Sequence, residues 1–181
     1  EKLADILDKE QDLITDGRLD VIFALAQVKR IYLEKMDDAL TLYSSILEEE
    51  PEHESTLMTL EKLRREGVEA DRIAQILEPV YERNGNHENQ CEALEIHLRA
   101  LGDEEKVPVL WQIYDLRHDV LHDDAASFDV LKRLFGLTPD DERVWDDLNE
   151  IAQKGEGTDL WAQMSALYAG IAADDEADDE W

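Results

Sequence analysis

The stretch from Asp38 to Leu63 reads DALTLYSSILEEEPEHESTLMTLEKL, and its pattern returns 88 residues later, from Ala126 to Ile151, as ASFDVLKRLFGLTPDDERVWDDLNEI. The apolar residues and one proline keep their places, whereas the polar residues between them change. The matching positions are Ile46 and Leu134, Leu47 and Phe135, Pro51 and Pro139, Leu57 and Trp145, Leu60 and Leu148, and Leu63 and Ile151. This preserved spacing predicts an internal structural repeat, in which short helices stack and share one core.

The rest of the chain carries apolar residues three and four positions apart, which is typical of amphipathic helices. We therefore expect an all-α fold of about ten helices and no strands. A single repeat domain is predicted over residues 1–173, built from two units of about 88 residues at roughly 1–88 and 89–173. Residues 174–181 form an acidic tail with too little apolar content to fold.

Helix boundaries follow from turn and capping residues. Asp37 or Asp38 is expected to cap the helix that Pro51 ends, and Glu52 to start the next one. Gly67 is expected to stop that helix in a left-handed conformation. The other two prolines lie inside helical patterns: Pro79 is expected to kink or split its helix, and Pro108 to occupy a tolerated first turn.

The composition is strongly acidic. The chain has 46 Asp and Glu against 18 Lys and Arg, a formal net charge of -28. Nucleic-acid binding depends on basic side chains, and anionic membranes attract them, so neither is an expected partner. A lone cysteine, Cys91, excludes an internal disulfide and is interpreted as a small buried residue. No signal peptide or membrane-spanning run is visible, so we expect a soluble protein, with the cytoplasm as its compartment.

Small, aromatic and proline residues within the repeat follow a known spacing. Ala39, Tyr43 and Pro51 resemble the second helix of a tetratricopeptide repeat, and Ser127, Leu131 and Pro139 follow the same spacing; Tyr81, Gly85 and Leu94 resemble the link between its two helices. The resemblance covers most of residues 18–173 and is closest to the degenerate arrays common in bacteria. It implies an α-solenoid of stacked antiparallel helix hairpins. The family's Leu-Gly pair is missing at Ala26-Gln27 and at Tyr114-Asp115.

One polar face recurs on the second helix of each unit. Its members are Gln27, Arg30 and Glu34 in the first unit and Asp115, His118 and His122 in the second. A face that changes charge between repeats while the core is kept is either ordinary solvated surface or a ligand-facing stripe, and we predict that these six residues bind the partner. The resemblance implies a different, apolar concave face, comprising Val21, Val28 and Tyr32 with Val109, Leu116 and Val120.

Asp115, His118 and His122 also have the spacing of a zinc site on one helix face. The ligand set is incomplete, and a solvated helix face explains it as well. No calcium loop, phosphate-binding glycine run or nucleophile motif appears. We therefore expect no cofactor, no metal and no enzymatic activity.

The sequence thus predicts a protein-protein interaction module, a scaffold or adaptor segment that binds a protein or peptide with a basic segment. The alternatives are a structural spacer within a larger repeat protein and a metal-dependent enzyme using His118 and His122. A third, suggested by the spacing of Trp161 and Tyr168, is a half-tetratricopeptide protein of RNA processing, although the acidic charge argues against direct RNA contact.

Overall fold

The computed structural model describes residues 17–154 and 159–167, together with residues 2, 6 and 169. Eight helices with complete bounds follow in order: α1 Arg18–Tyr32, α2 Met36–Glu49, α3 Glu54–Arg65, α4 Ala70–Arg83, α5 His87–His97, α6 Asp103–Asp115, α7 Asp124–Leu137 and α8 Glu142–Lys154. A 3₁₀ turn, Leu98–Ala100, follows α5, and a π-helical turn, Leu116–Val120, continues α6. Residues 160–167 are helical, and no strand occurs in these ranges. The all-α prediction is confirmed for this part of the chain.

The chain divides into two compact units between Arg99 and Ala100. In the N-terminal unit, α1 packs on α2, α3 on α4 and α4 on α5, with α2 also against α3 and α4. In the C-terminal unit, α7 packs against both α6 and α8. Most of the predicted first helix, the end of the last one, Tyr168 and the acidic tail lie outside the described residues, so the number of about ten helices remains a prediction.

The 88-residue repeat is present in the backbone. Adding 88 to the bounds of α2 gives those of α7, and α3 and α8 both begin at the matching position, Glu54 and Glu142. Equivalent left-handed residues follow α1 and the π turn of α6, namely Glu34 with φ 54 and His122 with φ 53. The next backbone N–H in each unit, of Lys35 or Asp123, donates to the carbonyl six residues earlier at 2.9 Å. The same local geometry therefore ends both helices.

Core positions recur with the same burial. Fully buried side chains occupy both copies at Leu25 and Ile113, Ala39 and Ser127, Tyr43 and Leu131, Ile46 and Leu134, Thr56 and Val144, and Leu60 and Leu148. Because burial of apolar side chains is the main favourable term in folding, these paired positions explain why the apolar pattern persists while the polar residues diverge. Leu57 and Trp145, another predicted pair, are both half-buried.

Several boundary predictions are wrong by a few residues. Helix α2 begins at Met36 after Lys35, so Asp37 and Asp38 lie in its first turn, where carboxylates favour the positive end of the helix dipole. Helix α3 begins at Glu54 rather than at Glu52, because the His53 imidazole accepts the backbone N–H of Thr56 and acts as the cap.

The prolines inside helical patterns differ from expectation in two respects, a split at Pro79 and the place of Pro108 in its helix. Helix α4 is assigned as one helix from Ala70 to Arg83 and is not split at Pro79. Helix α6 begins at Asp103, so Pro108 lies beyond the first turn. A proline there removes one helical hydrogen bond, a local cost that tertiary packing outweighs. The Gly67 prediction is confirmed, since its φ is 75.

Candidate partner-binding surface

In the N-terminal unit, two of the predicted binding residues face a neighbouring helix. The Gln27 side-chain amide on α1 donates to the Thr59 hydroxyl on α3 at 3.3 Å, and the Arg30 guanidinium donates to the Gln27 carbonyl oxygen at 2.7 Å. All three side chains are partly buried. We call this contact between α1 and α3 the N-terminal seam; the Gln27–Thr59 hydrogen bond joins the two helices there.

The Arg30 guanidinium also lies near the buried Tyr43 ring. Burial raises the pKa of the Tyr43 hydroxyl, and the positive charge of Arg30 partly opposes this rise. Arg30 Nε and the Tyr43 hydroxyl are buried without a hydrogen bond of good geometry in the described part of the chain. The inner end of Arg30 therefore belongs to the interior of the unit rather than to an open surface.

The C-terminal seam is the equivalent contact between α6 and α8, and charged side chains join the two helices there. The Arg143 guanidinium on α8 donates to Asp115 Oδ1 at 3.1 Å, and its Nε lies 3.6 Å from Asp147 Oδ2. Its central carbon lies 3.8 Å from the centroid of the Trp111 ring. Trp111 is half-buried, and this cation covers one face of its ring.

Tyr114 and His118 extend the C-terminal seam along α6 and its π turn. The Tyr114 hydroxyl donates to the Asp147 carboxylate. Burial is the main cause that raises the pKa of Tyr114, and the negative charge of Asp147 raises it further. Burial also raises the pKa of Asp147, although Arg143 and Tyr114 oppose the rise. The His118 imidazole stacks on the Tyr114 ring at 5.3 Å between centroids, with an interplanar angle of 8°. Its Nδ1 lies 2.9 Å from Asp119 Oδ1.

Glu34 and His122, the last members of the predicted stripe, occupy the left-handed positions after the helices. Both are exposed, and His122 Nδ1 lies 3.1 Å from the His118 carbonyl oxygen, to which its N–H donates. The structure therefore brings Gln27 and Arg30 together in one seam and Asp115 and His118 together in the other. It places Glu34 and His122 beyond the helical run, so the three residues predicted in each unit do not share a single helix face.

The same geometry bears on the predicted zinc spacing. His122 lies past the π turn rather than one helical turn beyond His118, and the Nδ1 atoms of both rings have protein partners. Among the described residues, no group of three or more His, Cys, Asp or Glu side chains could hold a metal ion.

The apolar face implied by the family resemblance is accessible in both units. Tyr32 is 75% exposed and Val120, its equivalent 88 residues later, is 46% exposed. Ile31, beside Tyr32, is also exposed, and the remaining members Val21, Val28, Val109 and Leu116 are half-buried. Large apolar side chains in water at equivalent positions are candidate anchors for a partner.

Sequence reasoning missed Arg143 and Asp147 because it examined only one helix of each unit for polar residues. Their positions in the repeat are occupied by Ser55 and Thr59 in the N-terminal unit. Comparing α8 with α3 in the same way as α6 with α1 would have found a charged pair where the first copy has two hydroxyls.

Neither the described helices nor the comparisons supply a further functional assignment. Within the described ranges, no helix has both the length and the apolar content required to cross a lipid bilayer. The chain matches no protein-family model, no curated protein and no solved structure.

Proposed function

We propose that this chain is a protein-protein interaction module, a tetratricopeptide-like α-solenoid segment that binds a partner with a basic segment. One observation carries the proposal: the second copy keeps the bounds of the middle helix, the starting residue of the third helix and the paired buried positions of the first, and replaces side chains of the seam. Repeat proteins commonly vary their exposed residues on a fixed scaffold to recognise ligands.

The replaced residues change the chemistry of the surface in a concerted way. Four neutral residues of the first copy correspond to one tryptophan and three charged residues in the C-terminal seam, whereas Arg30 of the N-terminal seam corresponds to His118. The pairs are Phe23 and Trp111, Gln27 and Asp115, Ser55 and Arg143, and Thr59 and Asp147. Because the buried positions around them are kept in both copies, the core does not require this set, which supports a role in recognition of a partner.

The charge of the chain and its exposed apolar residues indicate the partner's character. A net charge of -28 attracts basic segments from a distance and accelerates their association. Tyr32 and Val120 supply apolar contact area after encounter. Association should therefore slow markedly between low and physiological salt, whereas dissociation, which depends on the apolar contacts, should change less.

The test is charge reversal at the predicted surface. After a partner has been captured and purified, its affinity is measured for Glu34→Lys with Asp115→Lys, and for a control with Asp178→Lys and Asp179→Lys. Both variants change the formal charge equally. We expect the first to weaken binding about tenfold or more, or about 1.4 kcal/mol, and the second to have little effect.

Two further measurements complete the design. Circular dichroism must show unchanged helix content, because Asp115→Lys places a second cation beside Arg143. Equal losses in both variants would show that net charge alone attracts the partner and that the predicted residues are ordinary surface.

A further inference from the structure

The Arg143 side chain occupies a site made by other residues of the C-terminal seam. The Trp111 ring forms one wall, with its centroid 3.8 Å from the guanidinium carbon, and the carboxylates of Asp115 and Asp147 lie 3.1 Å and 3.6 Å from the guanidinium nitrogens. We call these three residues the guanidinium pocket. All of them belong to the C-terminal unit, on α6 and α8.

The chemistry of the pocket matches a guanidinium ion. A planar, weakly hydrated cation stacks on an indole face, and its N–H groups donate to carboxylate oxygens. The pocket lies at the surface, since the Arg143 and Asp115 side chains are 55% and 53% exposed. A guanidinium from another molecule can therefore reach the Trp111 ring once Arg143 swings away.

The first copy of the repeat lacks this pocket, although Arg30 donates there to Gln27, the counterpart of Asp115. The equivalent positions Phe23, Gln27 and Thr59 carry no charge, and Ser55 stands where Arg143 lies. Helices α3 and α8 nevertheless begin at equivalent residues, and the core residues around both seams are equally buried. The aromatic wall, the two carboxylates and the arginine thus occur together in only one of the two copies of the same helical framework.

We propose that the guanidinium pocket is a recognition site for an arginine side chain of the protein partner, and that Arg143 occupies it as an internal substitute until the partner arrives. The inference rests on the proposed binding function and adds to it the residue type that is recognised. Exchange of one guanidinium for another preserves the charge balance of the seam, so a partner arginine displaces Arg143 when the partner's other contacts hold it nearby.

The experiment vacates the pocket in the full chain and supplies a small guanidinium probe, so that it needs no identified partner. Arg143→Ala and Arg143→Gln are titrated with N-acetyl-arginine amide, and binding is followed by the Trp111 indole N–H signal in proton–nitrogen spectra. The matched control is Arg133→Ala, which removes the same charge from an exposed position on α7. The neutral probe N-acetyl-citrulline amide and the cationic probe N-acetyl-lysine amide complete the series.

We expect the arginine probe to saturate the Trp111 signal in both Arg143 variants at concentrations at least tenfold lower than in the unsubstituted protein or in Arg133→Ala. Adding Asp115→Asn to Arg143→Ala should weaken that binding at least about threefold. Citrulline amide should not bind, and lysine amide should bind several-fold more weakly.

Equal binding to Arg143→Ala and Arg133→Ala would overturn the inference, because net charge alone would then attract the probe. Equal binding of the lysine and arginine probes would overturn the assignment to guanidinium. Neither outcome depends on capture of a protein partner, so failure of the pocket is distinguishable from failure of the proposed binding function.

Discussion

Glu34 and His122 hold a backbone conformation that glycine adopts more readily, and replacing Glu34 with glycine should stabilise the protein. Their φ values are 54 and 53, in the left-handed region that ends helices and where glycine is preferred. A non-glycine residue in the left-handed conformation destabilises the folded state by about 1–2 kcal/mol. The extra freedom of glycine stabilises the unfolded chain by about 0.4–1 kcal/mol, which offsets part of the gain from relieving that strain. For Glu34→Gly we therefore expect a gain of about 1 kcal/mol in the free energy of unfolding.

The gain at His122 should be smaller for two reasons. Histidine tolerates the left-handed region better than glutamate does, and the His122 imidazole donates to the His118 carbonyl oxygen at 3.1 Å. Losing that hydrogen bond costs about 0.5–1.5 kcal/mol, which offsets most of the relief. His122→Gly should therefore change the free energy of unfolding by less than about 0.5 kcal/mol.

Urea denaturation of both glycine variants, with Glu34→Ala as control, measures the effect. Alanine removes the same side chain and keeps the Cβ that causes the strain, so Glu34→Ala should give no comparable gain. If Glu34→Gly destabilised the protein, or if alanine and glycine stabilised it equally, the left-handed conformation would not be the cause.

The remaining predictions concern the core, the C-terminal seam and the net charge. Leu60→Ala and Leu148→Ala should each cost about 2–5 kcal/mol, because both side chains are fully buried, whereas Met58→Ala, at an exposed position, should cost less than about 0.5 kcal/mol by urea denaturation; similar losses at Met58 would contradict the assigned core. Burial raises the pKa of Asp147 above its ordinary 3.8, so the stability associated with its protonated form is complete below that pH and is lost as pH rises through the raised value. The free energy of unfolding of Asp147→Asn, relative to that of the unsubstituted protein, should therefore increase as the pH is raised from below 3.8 towards neutrality. A difference that did not vary with pH would count against this. Sodium chloride at about 0.1 M, where the Debye length is about 10 Å, should raise the melting temperature by screening the net charge of -28, and a falling melting temperature would show that repulsion is not the dominant electrostatic effect.

The sequence by itself determined the helical class and the repeat, because both follow from the spacing of apolar residues. Ala39, Tyr43, Ile46 and Leu47 form one stripe in the sequence, and all four are buried on α2. Their counterparts on α7 are buried or half-buried. A stripe of this kind requires only local geometry, since residues three and four apart share a helix face whatever lies opposite.

Helix ends and the roles of polar residues were decided by tertiary structure. The start of α3 depends on the His53 ring accepting a backbone N–H, and that ring packs against the Phe23 ring on α1 with the centroids 5.9 Å apart. Pro79 remains within a continuous helix because packing outweighs the missing hydrogen bond. Such outcomes depend on contacts that a single helix does not contain.

The candidate surface shows the same division most clearly. The spacing of Asp115, His118 and His122 places them on one face only if α6 is a regular α-helix as far as His122. The π turn and the left-handed His122 changed that register, and contact with α8 joined Asp115 and Trp111 to Arg143, 28 and 32 residues away along the chain. Whether a polar residue on a helix is solvated or paired depends on its neighbours in the fold. In this repeat, those neighbours are supplied by the contacts of α3 with α1 and of α8 with α6.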